Sequence, residues 1–175
     1  MNYATIKNCD IANGVGVRIS LFVSGCTHRC KNCFNKEAWD FSYGNPFDEN
    51  IENQILEMLT PSYIKGLSLL GGEPFEPSNV DGLLPFMRKV VTLKNKDVWA
   101  YSGYTLEQLL AREGKEGEKT RELLSYIDIL VDGPFIEEKK SLRLKFRGSS
   151  NQRIIDVKKT LASGEITLAD IHDRM

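Results

Sequence analysis

The sequence predicts an α/β fold in which a parallel sheet, wound with helices, forms a partial β/α barrel open on one side. Three observations carry this. Short apolar stretches of strand character alternate with amphipathic helical stretches, the pattern of parallel βαβ units. Each apolar stretch ends in glycine or polar residues. The chain has 175 residues, whereas a complete eight-unit barrel takes ~250, so there is room for only about four to six strand–helix units.

The elements follow in order. Val17 to Val23 (VRISLFV) is β-branched and apolar and reads as a buried strand. Asn50 to Leu59 sets Ile51, Ile55, Met58 and Leu59 at helical spacing. Gly66 to Leu70 (GLSLL) is a second strand. Ser78 to Leu93 repeats a helical stripe through Val80, Leu83, Leu84, Met87 and Val91. Pro85 is a caution within that helix, because proline is tolerable only near a first turn. Asp97 to Tyr101 is a third strand, Thr105 and Gln108 form a capping-box pattern, and Ile127 to Val131 is a fourth strand. Arg112 to Arg121 is charged, carries two glycines and reads as an exposed loop or frayed helix end. One domain is expected over residues 1–160, followed by a tail, 161–175, with no assigned role.

In parallel α/β folds, ligands bind at the carboxyl ends of the strands. Four endings are therefore expected to share one rim: Ser24-Gly25-Cys26, Gly71-Gly72-Glu73, Ser102-Gly103 and Asp132-Gly133. The first opens the run Cys26-Thr27-His28-Arg29-Cys30-Lys31-Asn32-Cys33, a C-x3-C-x2-C spacing. Three thiolates so spaced can hold three corners of an iron–sulfur cube and leave one iron open for chemistry. They can equally hold zinc, with Cys9 or His28 as a fourth ligand, and spacing alone leaves both readings open. A disulfide is disfavoured. The Met1 end has neither the basic nor the apolar region of a signal peptide, so a reducing cytoplasm is expected.

The remaining candidates each carry a plain alternative. The glycines of Gly71-Gly72-Glu73 would let a ligand approach the backbone, and Glu73 would offer a carboxylate to an amino group; the alternative is an ordinary turn. Asp132 would meet ribose hydroxyls or a cation, or would form a turn before Gly133. Ser102 is a weaker candidate of the same kind. Trp39, Phe41 and Tyr43 read as packing, Cys9 as a small buried residue, and His28 and His172 as exposed or partly exposed histidines with no partner identifiable from sequence. Arg147 to Arg153 is a polar loop rich in hydrogen-bonding groups. Lysine and arginine total 23 against 24 acidic residues, a net charge of −1. That balance carries no signal for nucleic acid, and no apolar run approaches the ~20 residues of a membrane span.

The cysteine loop after one strand and GGE after the next resemble the radical S-adenosylmethionine (SAM) enzymes. Within them the chain is similar to the activating proteins of anaerobic ribonucleoside-triphosphate reductase. The resemblance rests on Asn13-Gly14-Val15-Gly16-Val17-Arg18, Leu21 to Cys26, Cys33-Phe34-Asn35-Lys36, Ser102-Gly103-Tyr104, Val131-Asp132-Gly133 and Arg147 to Gln152. It covers about Asn8 to Arg153. Two departures stand out. The family often has proline where this chain has Val15. Many radical SAM enzymes have an aromatic residue just before the third cysteine, where this chain has Asn32, with Phe34 following.

The resemblance implies a partial barrel of the radical SAM type. Cys26, Cys30 and Cys33 would ligate a [4Fe–4S] cluster, with SAM on the fourth iron. Gly71, Gly72 and Glu73 would orient its amino group, Asn32, Cys33 and Phe34 would lie near the adenine, and Ser102 and Asp132 near the ribose. It implies an oxidoreductase of the formate C-acetyltransferase-activating kind. Flavodoxin would supply an electron, SAM would be cleaved to a 5′-deoxyadenosyl radical, and a glycine of the reductase would become a glycyl radical. Two alternatives remain: a radical SAM enzyme with another substrate, whether a second glycyl-radical enzyme or a heterocycle, and a non-catalytic zinc- or cluster-binding module.

Overall fold

The computed structural model describes residues 1–171; His172 lies outside them. In chain order the elements are β1 (Asn2–Asp10), β2 (Val17–Val23), a 3-10 turn (Lys36–Trp39), β3 (Asn45–Pro46), α1 (Glu49–Met58), β4 (Ile64–Gly71) and α2 (Pro77–Val90). There follow β5 (Asp97–Tyr101), α3 (Leu106–Leu110), α4 (Gly114–Ser125), β6 (Ile129–Asp132), β7 (Arg153–Asp156) and α5 (Val157–Ser163).

They build one mixed seven-stranded sheet in the order β3-β1-β2-β4-β5-β6-β7. The centre is parallel: β2 pairs with β4, β4 with β5 and β5 with β6. Each step along the chain moves one place in the same direction, with helices in between. The flanks are antiparallel, β1 on β2 and β7 on β6. The expected α/β class and its four parallel strands are present. The antiparallel flanks were not expected.

Alternation along the strands divides the sheet into two faces. Ile19, Leu21, Val23, Leu67, Leu69, Val98, Ala100 and Leu130 pack with helix residues such as Ile55, Leu83, Leu109 and Leu123 in the main core. The opposite face carries a smaller cluster of Val15, Trp99, Ile129, Val131 and Ile154. It also buries Arg18, an ion in an apolar setting and therefore costly unless paired. Arg18 stands 2.6 Å from Asp97. It donates to Ser68 Oγ (2.8 Å) and to the carbonyls of Val15 (3.0 Å) and Leu67 (2.8 Å). One side chain thus fastens the Asn13–Val17 turn to β4 and β5.

Local signals explain most boundaries. The Asp48 side chain accepts from Ile51 N and starts α1. The Thr105–Gln108 capping box is complete at α3. Pro77 sits in the first turn of α2, where its missing N–H costs nothing. The expected helix forms, and Pro85 lies inside it, beyond the first turn. It is on the exposed side, so water can solvate the carbonyl it leaves unpaired. Of the two readings of Arg112 to Arg121, the helix end is the nearer: Arg112 and Glu113 lead into Gly114–Ser125, which is helical, with Thr120, Leu123 and Leu124 turned inward. After α5 the chain turns at Gly164 (φ 75°) and returns to β7, where Ala169 N donates to Ile154 O.

Candidate functional site

The carboxyl ends of β2, β4, β5 and β6 open onto one cavity of ≈ 480 Å³, the size of a small-molecule site. Cys26, Cys30 and Cys33 line it, as do Gly71, Gly72 and Glu73. Asn32, Phe34 and Ser102 also face it, and Gly133 represents the fourth ending.

The cysteine loop is held from below by the start of α2. Asn79, buried, donates from Nδ2 to Ser24 O and Glu73 O, both at 2.9 Å. Glu76 Oε1 accepts from Thr27 N (2.8 Å) and Thr27 Oγ1 (2.6 Å). The two strand endings meet directly: Gly72 N donates to Val23 O at 2.7 Å and Glu73 N to Gly25 O at 2.8 Å. A Cβ on Gly72 would stand 2.5 Å from Gly25 O, so the glycine serves this close approach of backbones.

Within the loop, Arg29 (φ 50°) and Asn32 (φ 55°) take left-handed conformations, uncommon for residues with a side chain. Such backbone turns amides inward, as in anion-binding nests. The amides of His28 and Arg29 are directed at Cys26 and that of Phe135 at Cys30. Asn35 N donates to Cys33 Sγ at 3.4 Å. Burial pushes the Cys26 thiol up to about 11, and the Cys30 thiol is raised for the same reason. A metal binding Cys26 and Cys30 must therefore displace their protons. Among the described residues, no three His, Cys, Asp or Glu side chains gather as one metal ion would require.

Glu73 is buried and its carboxylate is fully engaged. Oε1 accepts from Phe75 N and Ser102 Oγ, both at 2.9 Å. Oε2 accepts from Gly103 N at 2.7 Å and lies 2.9 Å from His28 Nε2. Tyr104 packs on His28 with ring centroids 4.3 Å apart, and the Arg112 guanidinium lies 4.7 Å from the Tyr104 ring. The hydrogen bond to Glu73 raises the His28 pKa. His28 is partly exposed, within what was expected, and the partner that sequence did not identify is Glu73, 45 residues away.

Asp132 is not among the cavity's lining residues. Its side chain accepts from Leu106 N at 2.8 Å and pairs with Arg153 Nε at 3.0 Å and with Nη2. It caps α3 and ties it to β7, so the expected ribose or cation contact does not match its surroundings. Cys9 is exposed rather than buried. The Arg147–Arg153 loop has a definite job. Gln152 Nε2 donates to Gly133 O at 3.0 Å and Asn151 Nδ2 to Pro134 O at 2.8 Å, which closes that side of the cavity.

Two residues that sequence reasoning did not assign to the site, Tyr101 and Trp39, line the cavity and hold buried polar atoms. Tyr101 Oη and Trp39 Nε1 have no hydrogen-bond partner among the described residues. Such groups are costly unless a ligand or water meets them. With the three thiols, the inward amides and these two orphaned groups, the residues present fit an iron–sulfur cluster and a polar organic ligand side by side.

Comparison with known proteins supports the iron–sulfur cluster. Residues 12–155 match the family described as 4Fe-4S single cluster domain, which defines the class. Anaerobic ribonucleoside-triphosphate reductase-activating proteins align over most of their length. That of Pasteurella multocida is 47% identical over 88% of this chain and 96% of its own. That of Haemophilus influenzae is 45% identical over 88% and 97%, and that of Escherichia coli K12 40% identical over 87% and 96%. The chain belongs to the family of anaerobic ribonucleoside-triphosphate reductase-activating proteins. Among the described residues, no helix is long and apolar enough to cross a membrane.

Proposed function

We propose that this protein is a radical SAM activase, an oxidoreductase that makes a glycyl radical on anaerobic ribonucleoside-triphosphate reductase. The observation that carries the reading is the meeting of Cys26, Cys30 and Cys33 with Gly71-Gly72-Glu73 on one cavity. Family membership supports it, since the relatives are named for activating that reductase. The singly wound parallel centre, with helices in the core of one face, supports a partial barrel of the radical SAM type in a single domain over residues 1–160.

Cys26, Cys30 and Cys33 would hold a [4Fe–4S] cluster, and the amides directed at their sulfurs would favour its negative charge. When bound there, the cluster and SAM would supply the one-electron radical chemistry that takes hydrogen from a glycine of the reductase. The chain's own contribution is binding, orientation and exclusion of water. Glu73 and the backbone at Gly71 would orient the amino group of SAM. Asn32, Cys33 and Phe34 would border the adenine. Ser102 holds Glu73 in place, and Tyr101 and Trp39 offer their buried polar atoms to the ligand. A flavodoxin-type donor in the cytoplasm would supply the electron.

Anaerobic incubation of the reconstituted protein with SAM, reductant and purified reductase tests this. Methionine, 5′-deoxyadenosine and a glycyl-radical EPR signal are expected. SAM cleavage with no radical on the reductase would point to another substrate.

A further inference from the structure

The mouth of the cavity is unlike the rest of the surface. Leu142 is 96% exposed and Phe34 86% exposed, the two most exposed large apolar side chains. Both border the cavity, from opposite segments. The 137–147 segment holds five basic residues against Glu137 and Glu138. Across the mouth, Arg29, Lys31 and Lys36 follow His28, with no acidic residue among them. Lys31 pairs with Glu138 at 3.1 Å and so links the two segments. Arg29, Lys36, Lys139 and Arg143 are exposed and have no ion-pair partner among the described residues. In a chain of net charge −1, basic residues thus cluster in the two segments that carry these apolar tips.

Exposed apolar tips on segments that carry unpaired charge have the composition of a docking surface, which combines apolar and polar contacts. We infer that Leu142 and Phe34, flanked in sequence by the exposed Arg29, Lys36, Lys139 and Arg143, receive an acidic, apolar-bearing segment of the protein partner beside its reacting glycine. This rests on the proposed function. The apolar tips favour a polypeptide over a nucleic acid, whose backbone gives them nothing to bury. Complementary charge would speed encounter and fix register, and the apolar tips would lengthen the complex's lifetime.

The test uses the reconstituted full chain, dithionite as reductant and purified reductase. Two readings are taken: SAM cleavage without reductase, and glycyl-radical formation against reductase concentration. Lys139→Glu/Arg143→Glu alters only exposed side chains outside the cavity lining. Its SAM cleavage without reductase should equal wild type. Its half-saturating reductase concentration should rise about tenfold at low salt, with the gap closing at high salt as charges are screened. Leu142→Ser should raise half-saturation at any salt. Unchanged half-saturation in both variants overturns the docking surface while the functional reading stands. Failure of wild type to cleave SAM overturns that reading and the inferred occupant together. Binding of a duplex oligonucleotide that the double variant loses, with reductase saturation unchanged, assigns the rim to nucleic acid and overturns the inference.

Discussion

His28 Nε2 lies 2.9 Å from Glu73 Oε2, joining the cysteine loop to the ending of β4. With Ser102 Oγ and the amides of Phe75 and Gly103, it leaves each oxygen of Glu73 with two partners. The carboxylate is therefore both a candidate ligand contact and a structural tie. Glu73→Gln places an amide NH₂ where donors already point. It should cost about 1–3 kcal/mol of stability and weaken SAM binding while four irons remain, as read by urea unfolding, titration and iron assay. His28→Ala spares the other three bonds and should cost about 1 kcal/mol. Unchanged SAM affinity in Glu73→Gln would remove Glu73 from the ligand site.

Cys30 sits half-buried on the loop, away from the main core. Cys30→Ala should abolish cluster retention and SAM cleavage and leave the far-ultraviolet circular dichroism close to wild type. SAM cleavage at the wild-type rate would refute its assignment as a ligand.

Tyr101 Oη is buried without a partner at the cavity wall. Tyr101→Phe removes an unsatisfied group, so the ligand-free protein should be as stable as wild type or about 1 kcal/mol more so. SAM affinity should fall. Equal affinity in the two proteins would show that the hydroxyl does not meet the ligand.

Arg18 is fully buried and its charge is answered by Asp97. Arg18→Met strands that carboxylate and frees the Asn13–Val17 turn. The expected loss is about 3 kcal/mol, or roughly 6–12 °C in melting temperature for a domain of this size. Arg18→Lys should recover little, because a single ammonium cannot span Ser68, Val15 and Leu67 together.

Arg153 bonds to Glu107 and Asp132, and its hydrogen bond holds the Glu107 carboxyl down at about 2. Asp10 is lowered too: burial opposes this, but hydrogen bonds from Ser20, Asn13 and Ala12 outweigh it. A carboxylate depressed in the folded state adds stability above its unfolded pKa and loses it as pH falls through the folded one. Stability should therefore drop between about pH 4.5 and pH 2. Glu107→Gln should flatten the decline in urea midpoints over that range. An identical pH profile would show the Glu107–Arg153 pair to be energetically silent in solution.

The parallel centre was legible because β2 and β5 are apolar runs bounded by glycine or polar residues, and their observed limits match. The cavity was legible because strand endings in such folds converge. What escaped has physical causes. β1 carries mixed polar residues and leaves many of them exposed at the sheet's antiparallel flank, so it shows no apolar run. α4 is a charged helix that turns only a narrow stripe inward. Asp132 looked like a ligand contact because Arg153, which occupies it, is 21 residues away in sequence. The pairings of His28 with Glu73, Thr27 with Glu76 and Asn79 with Ser24 likewise join distant segments, although Glu76 and Asn79 follow GGEP at one helix start.

The central claim is that the three thiols carry a [4Fe–4S] cluster whose open iron meets SAM. The direct test is metal content and EPR on protein purified and reconstituted without oxygen, before and after SAM. The account predicts about four irons per chain and a reduced-cluster signal that SAM perturbs. One zinc per chain, with no EPR signal and no response to SAM even after iron and sulfide reconstitution, would contradict it.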